Sequence, residues 1–141
     1  MTFAGCDPAK LKDSLLLKSA AEHLPSVIGM EGFGEARLEV FGDPFSVVWG
    51  ATAVQLLTTS HLAFHAAPNA GQFFLDITSC REFGLEPVVE YITSILGEDC
   101  HLTQESYAQR GTVTPEMIAA CGFGNYPEEL SAETKEGEEN G

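Results

Sequence analysis

Ser60, His61, His65 and Cys80 carry a hydroxyl, two imidazoles and a thiol within twenty-one residues near the middle of the chain. Such groups serve nucleophilic catalysis, proton transfer or metal binding, and the spacing bears on each. A Ser/His/Asp centre needs Ser60 and His65 side by side. Their odd spacing of five puts them on opposite faces of a flat strand, so they meet only where the chain breaks or bulges near Ser60. No GxSxG elbow is present. His61 and His65 stand four apart, a metal-ligand spacing on a helix. On a strand they share a face about 13 Å apart, too far for one ion. Cys80 reads first as a small, quiet residue at a strand end.

The elements around these residues follow from periodicity. Phe3–Gly5 is a short strand ending in a Gly-Cys-Asp-Pro turn. Asp7 caps a helix with Pro8 at its first position, and Leu11, Leu15, Leu16 and Ala20-Ala21 continue it at helical spacing until Pro25 closes it, giving one amphipathic helix over 8–24. Gly29–Gly34 reads as a turn. Arg37–Phe41 is a strand with Leu38 and Val40 on one side, and Gly42-Asp43-Pro44 is a turn. Phe45–Trp49 is an apolar loop, either a lid on the core or an aromatic wall for a ligand. Ala51–Leu57 is a strand, and Leu62–Ala66 is another or its continuation. Pro68-Asn69-Ala70-Gly71 turns the chain into Gln72–Ser79, which alternates with Phe73, Leu75 and Ile77 on one face and Phe74, Asp76, Thr78 and Cys80 on the other. Residues 86–96 form a second helix with Val88, Val89, Ile92, Ile95 and Leu96 inward and Gly97 as its stop. Cys100–Glu105 is a last strand, and Pro115–Cys121 a short helix. The order β-α-β-β-β-α-β predicts an α+β fold, an antiparallel sheet with helices packed on one face.

Composition narrows the setting. The chain has 141 residues, 44% of them hydrophobic, enough for one folded domain. Residues 1–106 are expected to form it, and 107–141 to be an acidic extension, disordered at its end. The net charge of −14, with six glutamates and one lysine after Tyr126, leaves no basic surface to exchange for counterions. Nucleic acid and anionic membranes are therefore not expected as partners. No apolar run approaches a membrane span and no basic-then-apolar leader opens the chain, so the cytoplasm is the default location. The four cysteines, 6, 80, 100 and 121, form no CxxC pair; an even count allows two disulfides, but in a cytosolic chain of this size they read as free thiols, and no metal is expected. From residue types alone the reading stops at a soluble α+β domain.

Gly5-Cys6-Asp7, then Ser60-His61-Leu62-x-x-His65-x-x-Pro68, then Asp76-x-x-x-Cys80 resemble the bacterial and archaeal type of S-adenosylmethionine decarboxylase. The resemblance covers roughly residues 1–105. It implies a self-processing proenzyme. The Ser60 hydroxyl attacks the Thr59 carbonyl, the resulting ester eliminates, and the new terminus loses ammonia to become a pyruvoyl group. The products are chains 1–59 and 60–141. His65 would carry protons during processing, with Thr52 matching a hydroxyl that assists it. The pyruvoyl group made from Ser60 would be the sole cofactor, forming a Schiff base with the substrate's amine and acting as electron sink. Cys80 would donate the proton that replaces the lost carboxylate. The family assembles as dimers with both protomers near each active site.

Three positions depart from the family pattern. Thr59 stands where the family has Glu, Ala67 where it has the Trp that stacks on adenine, and Asn69 where it has the Glu that holds the ribose. Phe45, Trp49 and Asn69 are the residues of this chain that would meet the substrate. The resemblance implies S-adenosylmethionine decarboxylation for spermidine and other polyamine synthesis. The weakened adenine site and acidic body leave open a relative acting on arginine or ornithine. Thr59 leaves open an unprocessed, non-catalytic homologue that binds or regulates.

Overall fold

The computed structural model describes residues 1–58, 60–109, 111 and 114–122. Thr59 and the glutamate-rich end expected to be disordered lie outside them. The chain divides into two compact units, Met1–Tyr107 and Ala108–Gly141.

In the first unit the strands are β1 (Thr2–Ala4), β2 (Gly32–Phe41), β3 (Gly50–Leu57), β4 (His61–Ala67), β5 (Gln72–Thr78) and β6 (His101–Gln104). They form one sheet in the order β2-β3-β4-β5-β1-β6. Every neighbouring pair is antiparallel. The N-terminal strand is thus interior, between β5 and β6. Helices α1 (Pro8–Leu11), α2 (Ser14–Val27) and α3 (Leu85–Leu96) supply the second layer. This is the α+β architecture that the element order predicts. No helix among the described residues is long and apolar enough to cross a membrane.

Period-two alternation gives the sheet a dry face and an open one. Ala51, Ala53, Leu62, Phe64, Phe73 and Leu75 are buried, and they pack with Leu17, Ala21 and Leu24 of α2 and Val88, Ile92 and Leu96 of α3. Phe64 and Phe73 touch across β4 and β5, ring centroids 4.7 Å apart. The alternate residues Thr52, Val54, Leu56, His65 and Phe74 belong to the opposite face, away from α1, α2 and α3. Val54, Leu56 and Phe74 are exposed there.

Two expectations are corrected. The single helix over 8–24 is two helices. Asp7 caps the first through the Ala9 N–H, and Asp13 caps the second through the Leu15 and Leu16 N–H groups. The break resets the helical phase, so Leu11 is buried while Leu15 is 81% exposed. Pro25 does not close α2, which runs on to Val27. The second correction concerns Gly32–Phe41, which is one strand rather than a glycine turn followed by a strand. Its register slips between Phe33 and Arg37, where Gly34 takes a φ of 70°. Gln55, fully buried from β3, spans the slip by donating to the Phe33, Gly34 and Leu56 carbonyls at 3.2, 3.2 and 2.9 Å.

In the second unit α4 (Pro115–Ala120) begins at Thr114, whose hydroxyl accepts from the Met117 N–H.

Candidate active site

Ser60 sits at the tip of the β3–β4 hairpin. The Leu57 N–H donates to the Ser60 carbonyl at 2.9 Å, and the Ser60 N–H returns to the Leu57 carbonyl at 3.4 Å. The Leu57–Ser60 pair therefore closes the hairpin. Thr58 is exposed, and its N–H is held by the Glu31 carbonyl at 3.3 Å. Ser60 thus stands just ahead of the β4 ladder, which begins at His61.

Cys80 reaches the same place from the end of β5, the next strand in the sheet. Its backbone N–H donates to Ser60 Oγ at 3.1 Å. Ser60 Oγ lies 3.9 Å from Cys80 Sγ. Ser79 turns the chain here, its hydroxyl donating to the Arg81 carbonyl at 2.7 Å and accepting from the Arg81 N–H at 2.9 Å. A hydroxyl oriented by a backbone N–H, with a thiol beside it, can act as an attacking group served by a proton donor.

His65 does not join them. Residues His61–Ala67 pair one for one with β3 and β5 without a slip. Five strand residues span about 17 Å, so the imidazole is far from Ser60 Oγ in the same protomer. It makes its own cluster on the open face. His65 Nε2 lies 2.9 Å from the Val48 carbonyl, and Nδ1 lies 2.9 Å from Thr52 Oγ1. A carbonyl only accepts, so in the neutral ring Nε2 carries the proton and Nδ1 accepts from the Thr52 hydroxyl. Phe74 stacks beside the ring with centroids 6.4 Å apart.

The Phe45–Trp49 loop belongs to this second cluster, at the end of the hairpin opposite Ser60. Phe45 is 95% exposed. Trp49 is half-buried and lines a small cleft with Leu11, Val40 and Pro68. Asn69 pins the loop from below, its side-chain N–H groups donating to the Pro44 and Ser46 carbonyls, each at 2.8 Å. Ala67 is buried among core residues. The Thr52 contact to His65 joins the two residues that the family resemblance pairs. The Val48 contact and the pinning role of Asn69 have no local signature in the sequence; they arise from a loop folding back across 17 to 25 residues. Among the described residues no three His, Cys, Asp or Glu side chains gather where an ion could sit.

The family model for S-adenosylmethionine decarboxylase matches residues 1–111. The chain belongs to the S-adenosylmethionine decarboxylase family. Neither the curated proteins nor the solved structures provide a match. Family membership makes decarboxylation the reaction class, and residues 1–111 contain both clusters: Ser60 with Cys80, and Thr52 with His65. The S-adenosylmethionine decarboxylase family depends on a pyruvoyl group in general. A serine at a hairpin tip with a thiol 3.9 Å away fits that group, because the serine is its own precursor.

Proposed function

We propose that the chain is a proenzyme that cuts itself between Thr59 and Ser60 and then decarboxylates S-adenosylmethionine, the reaction that commits this substrate to aminopropyl donation in spermidine synthesis. The approach of Cys80 to Ser60 carries the reading. It brings together the two residues that the family chemistry requires from different strands. When present, a pyruvoyl ketone supplies an electron sink for loss of a carboxylate. The chain's own residues do the rest. In this reading Ser60 Oγ, which accepts from the Cys80 N–H, attacks the preceding carbonyl. The Cys80 thiol then returns a proton to the carbon that loses the carboxylate. Phe45 and Trp49, at the far end of the hairpin with His65, offer apolar surface to the substrate bound at a second copy's serine.

His65 acts in trans in this reading. The Thr52–His65 pair lies on an open, partly apolar face, and about 17 Å of strand separates it from Ser60. A second copy covering Val54, Leu56 and Phe74 would bury apolar surface that is otherwise wet. It would also set His65 of the partner subunit within reach of Ser60. A homodimer then has two composite sites, and a lone protomer has none.

A second substrate reading rests on Asn69. Both of its amide protons are used by loop carbonyls, and at this position the chain has no carboxylate for a ribose. That favours a smaller basic amino acid, arginine or ornithine, as the alternative substrate.

The test is the intact mass of the purified protein, followed by carbon dioxide release. Chains 1–59 and 60–141, the latter ending in a keto group, are expected. Release from S-adenosylmethionine and not from arginine or ornithine supports the first substrate, and the reverse pattern the second. A chain that stays whole defeats both and leaves the non-catalytic reading.

A further inference from the structure

Cys6 and Cys100 are 94 residues apart in sequence, yet their sulfurs lie 3.1 Å from each other in the core. That is only about 1 Å longer than a disulfide bond. The two turns that carry them are locked together. The Asp7 N–H donates to the Leu96 carbonyl at 2.8 Å, and the Cys6 N–H to the Gly71 carbonyl at 3.0 Å. Gly5, with φ of 66°, presses so closely on the α3–β6 turn that a Cβ there would meet the Asp99 carbonyl oxygen. Gly97 sits 3.1 Å, by its Cβ position, from the Asp7 side chain. The backbone thus holds the pair, so the thiols lose little freedom on joining. Both cysteines are buried, and burial pushes both thiols up from their ordinary range, which fits an unreactive site once folded and a bond formed while the chain opens or folds.

We propose that Cys6 and Cys100 are a disulfide-forming pair whose bond ties the N-terminal fragment to the C-terminal one after self-cleavage. The bond itself stands on the geometry alone; the tie between fragments rests on the processing reading given above. A small disulfide such as oxidised glutathione serves as oxidant. One protein thiolate attacks it, forming a mixed disulfide and releasing one small thiol. The second protein thiolate then attacks that mixed disulfide and releases the other. Two electrons pass from the protein sulfurs to the small disulfide, and the two protein protons end on the released thiols. Cys6 lies in chain 1–59 and Cys100 in chain 60–141, so the bond joins the fragments covalently across β1 and β6. In the uncut chain the bond closes a long loop and restricts the unfolded state, and after cleavage it keeps the two unfolded fragments from separating.

The experiment equilibrates the purified full chain in oxidised and reduced glutathione, quenches with acid, alkylates under denaturing conditions and maps the peptides by mass. The Cys6 and Cys100 peptides are expected as one linked species, with Cys80 and Cys121 alkylated. Processed protein should run as one band without reductant and as two with it. Reduction should lower Tm by about 10 °C. In Cys100→Ser the fragments should separate without reductant, and Cys6→Ala should do the same if that variant folds poorly. Full alkylation of Cys6 and Cys100 in the wild type, or their linkage to Cys80 or Cys121, overturns the proposal. If the chain never splits, the peptide map still reads the bond while the processing reading alone fails.

Discussion

Ser60 and Cys80 approach each other through a backbone N–H and a thiol, and the proposed function gives them separable tasks. Ser60→Ala removes the attacking oxygen, so the chain should remain a single species by intact mass. Cys80→Ala keeps the backbone N–H that orients Ser60. It should still split, with turnover falling by roughly 100-fold or more, the usual worth of a placed proton donor. A different residue-scale prediction concerns Gln55, whose side-chain nitrogen makes three bonds inside the sheet. Gln55→Ala removes the donor to the Phe33 and Gly34 carbonyls and leaves a gap where a fully buried side chain stood. A loss of about 1–3 kcal/mol is expected, read from the midpoint of urea unfolding.

The β3–β4 hairpin presents Ser60, the serine proposed to react, and the base of that hairpin is tightly constrained. At Gly50 a Cβ would run into the Ala66 carbonyl oxygen and its neighbour Pro68. Gly50→Ala must therefore push β3 off β4. It should cost about 3 kcal/mol or more, enough to show as loss of soluble folded protein or a large fall in Tm. The loop from Asp43 to Trp49 is tied down differently, by the Asn69 amide, Asp43 accepting from the Phe45 N–H at 3.0 Å, and His65 at the Val48 carbonyl. Asn69→Ala removes two of these ties while leaving the core intact. Amide exchange over 43–49 should speed up, with the remaining strands unchanged.

At the scale of the whole molecule, the distance between Ser60 and His65 turns a catalytic question into an assembly question. Ser60→Ala and His65→Ala chains should each fail to split when expressed alone. Expressed together with different tags, they form a mixed dimer with one intact composite site. The His65→Ala chain should then be cut. No cutting in the mixture would mean that the two residues serve the same protomer's site. Stability offers a second whole-molecule test. Folded Cys6 and Cys100 hold their protons more tightly than thiols of the unfolded chain, because burial disfavours the thiolate. In the reduced protein this stabilisation is whole below the unfolded thiol pKa of about 8.5 and declines as pH rises above it. Urea midpoints of reduced protein should therefore fall between pH 7.5 and pH 10 by more than those of a Cys6→Ser, Cys100→Ser variant.

The local pattern of residues was sufficient for much of this protein. Alternation along Phe73–Thr78 set which side chains of β5 are dry, and the spacing of Val88, Ile92 and Leu96 set the buried stripe of α3, because both signals act over two to four residues. The order of Ser60, His65 and Cys80 also pointed to the family by itself. Elsewhere local signals misled. Asp13 reads as an ordinary polar helix residue until its side chain is seen capping a new helix, and Gly32–Gly34 reads as a turn until Gln55 is found holding the slipped strand. Tertiary structure alone decided which chemical groups meet. Strand order set Cys80 against Ser60, an unbroken β4 kept His65 away from both, and an interior first strand brought Cys6 to Cys100. Those outcomes depend on sheet order and register between residues up to 94 positions apart, and no short-range periodicity encodes them.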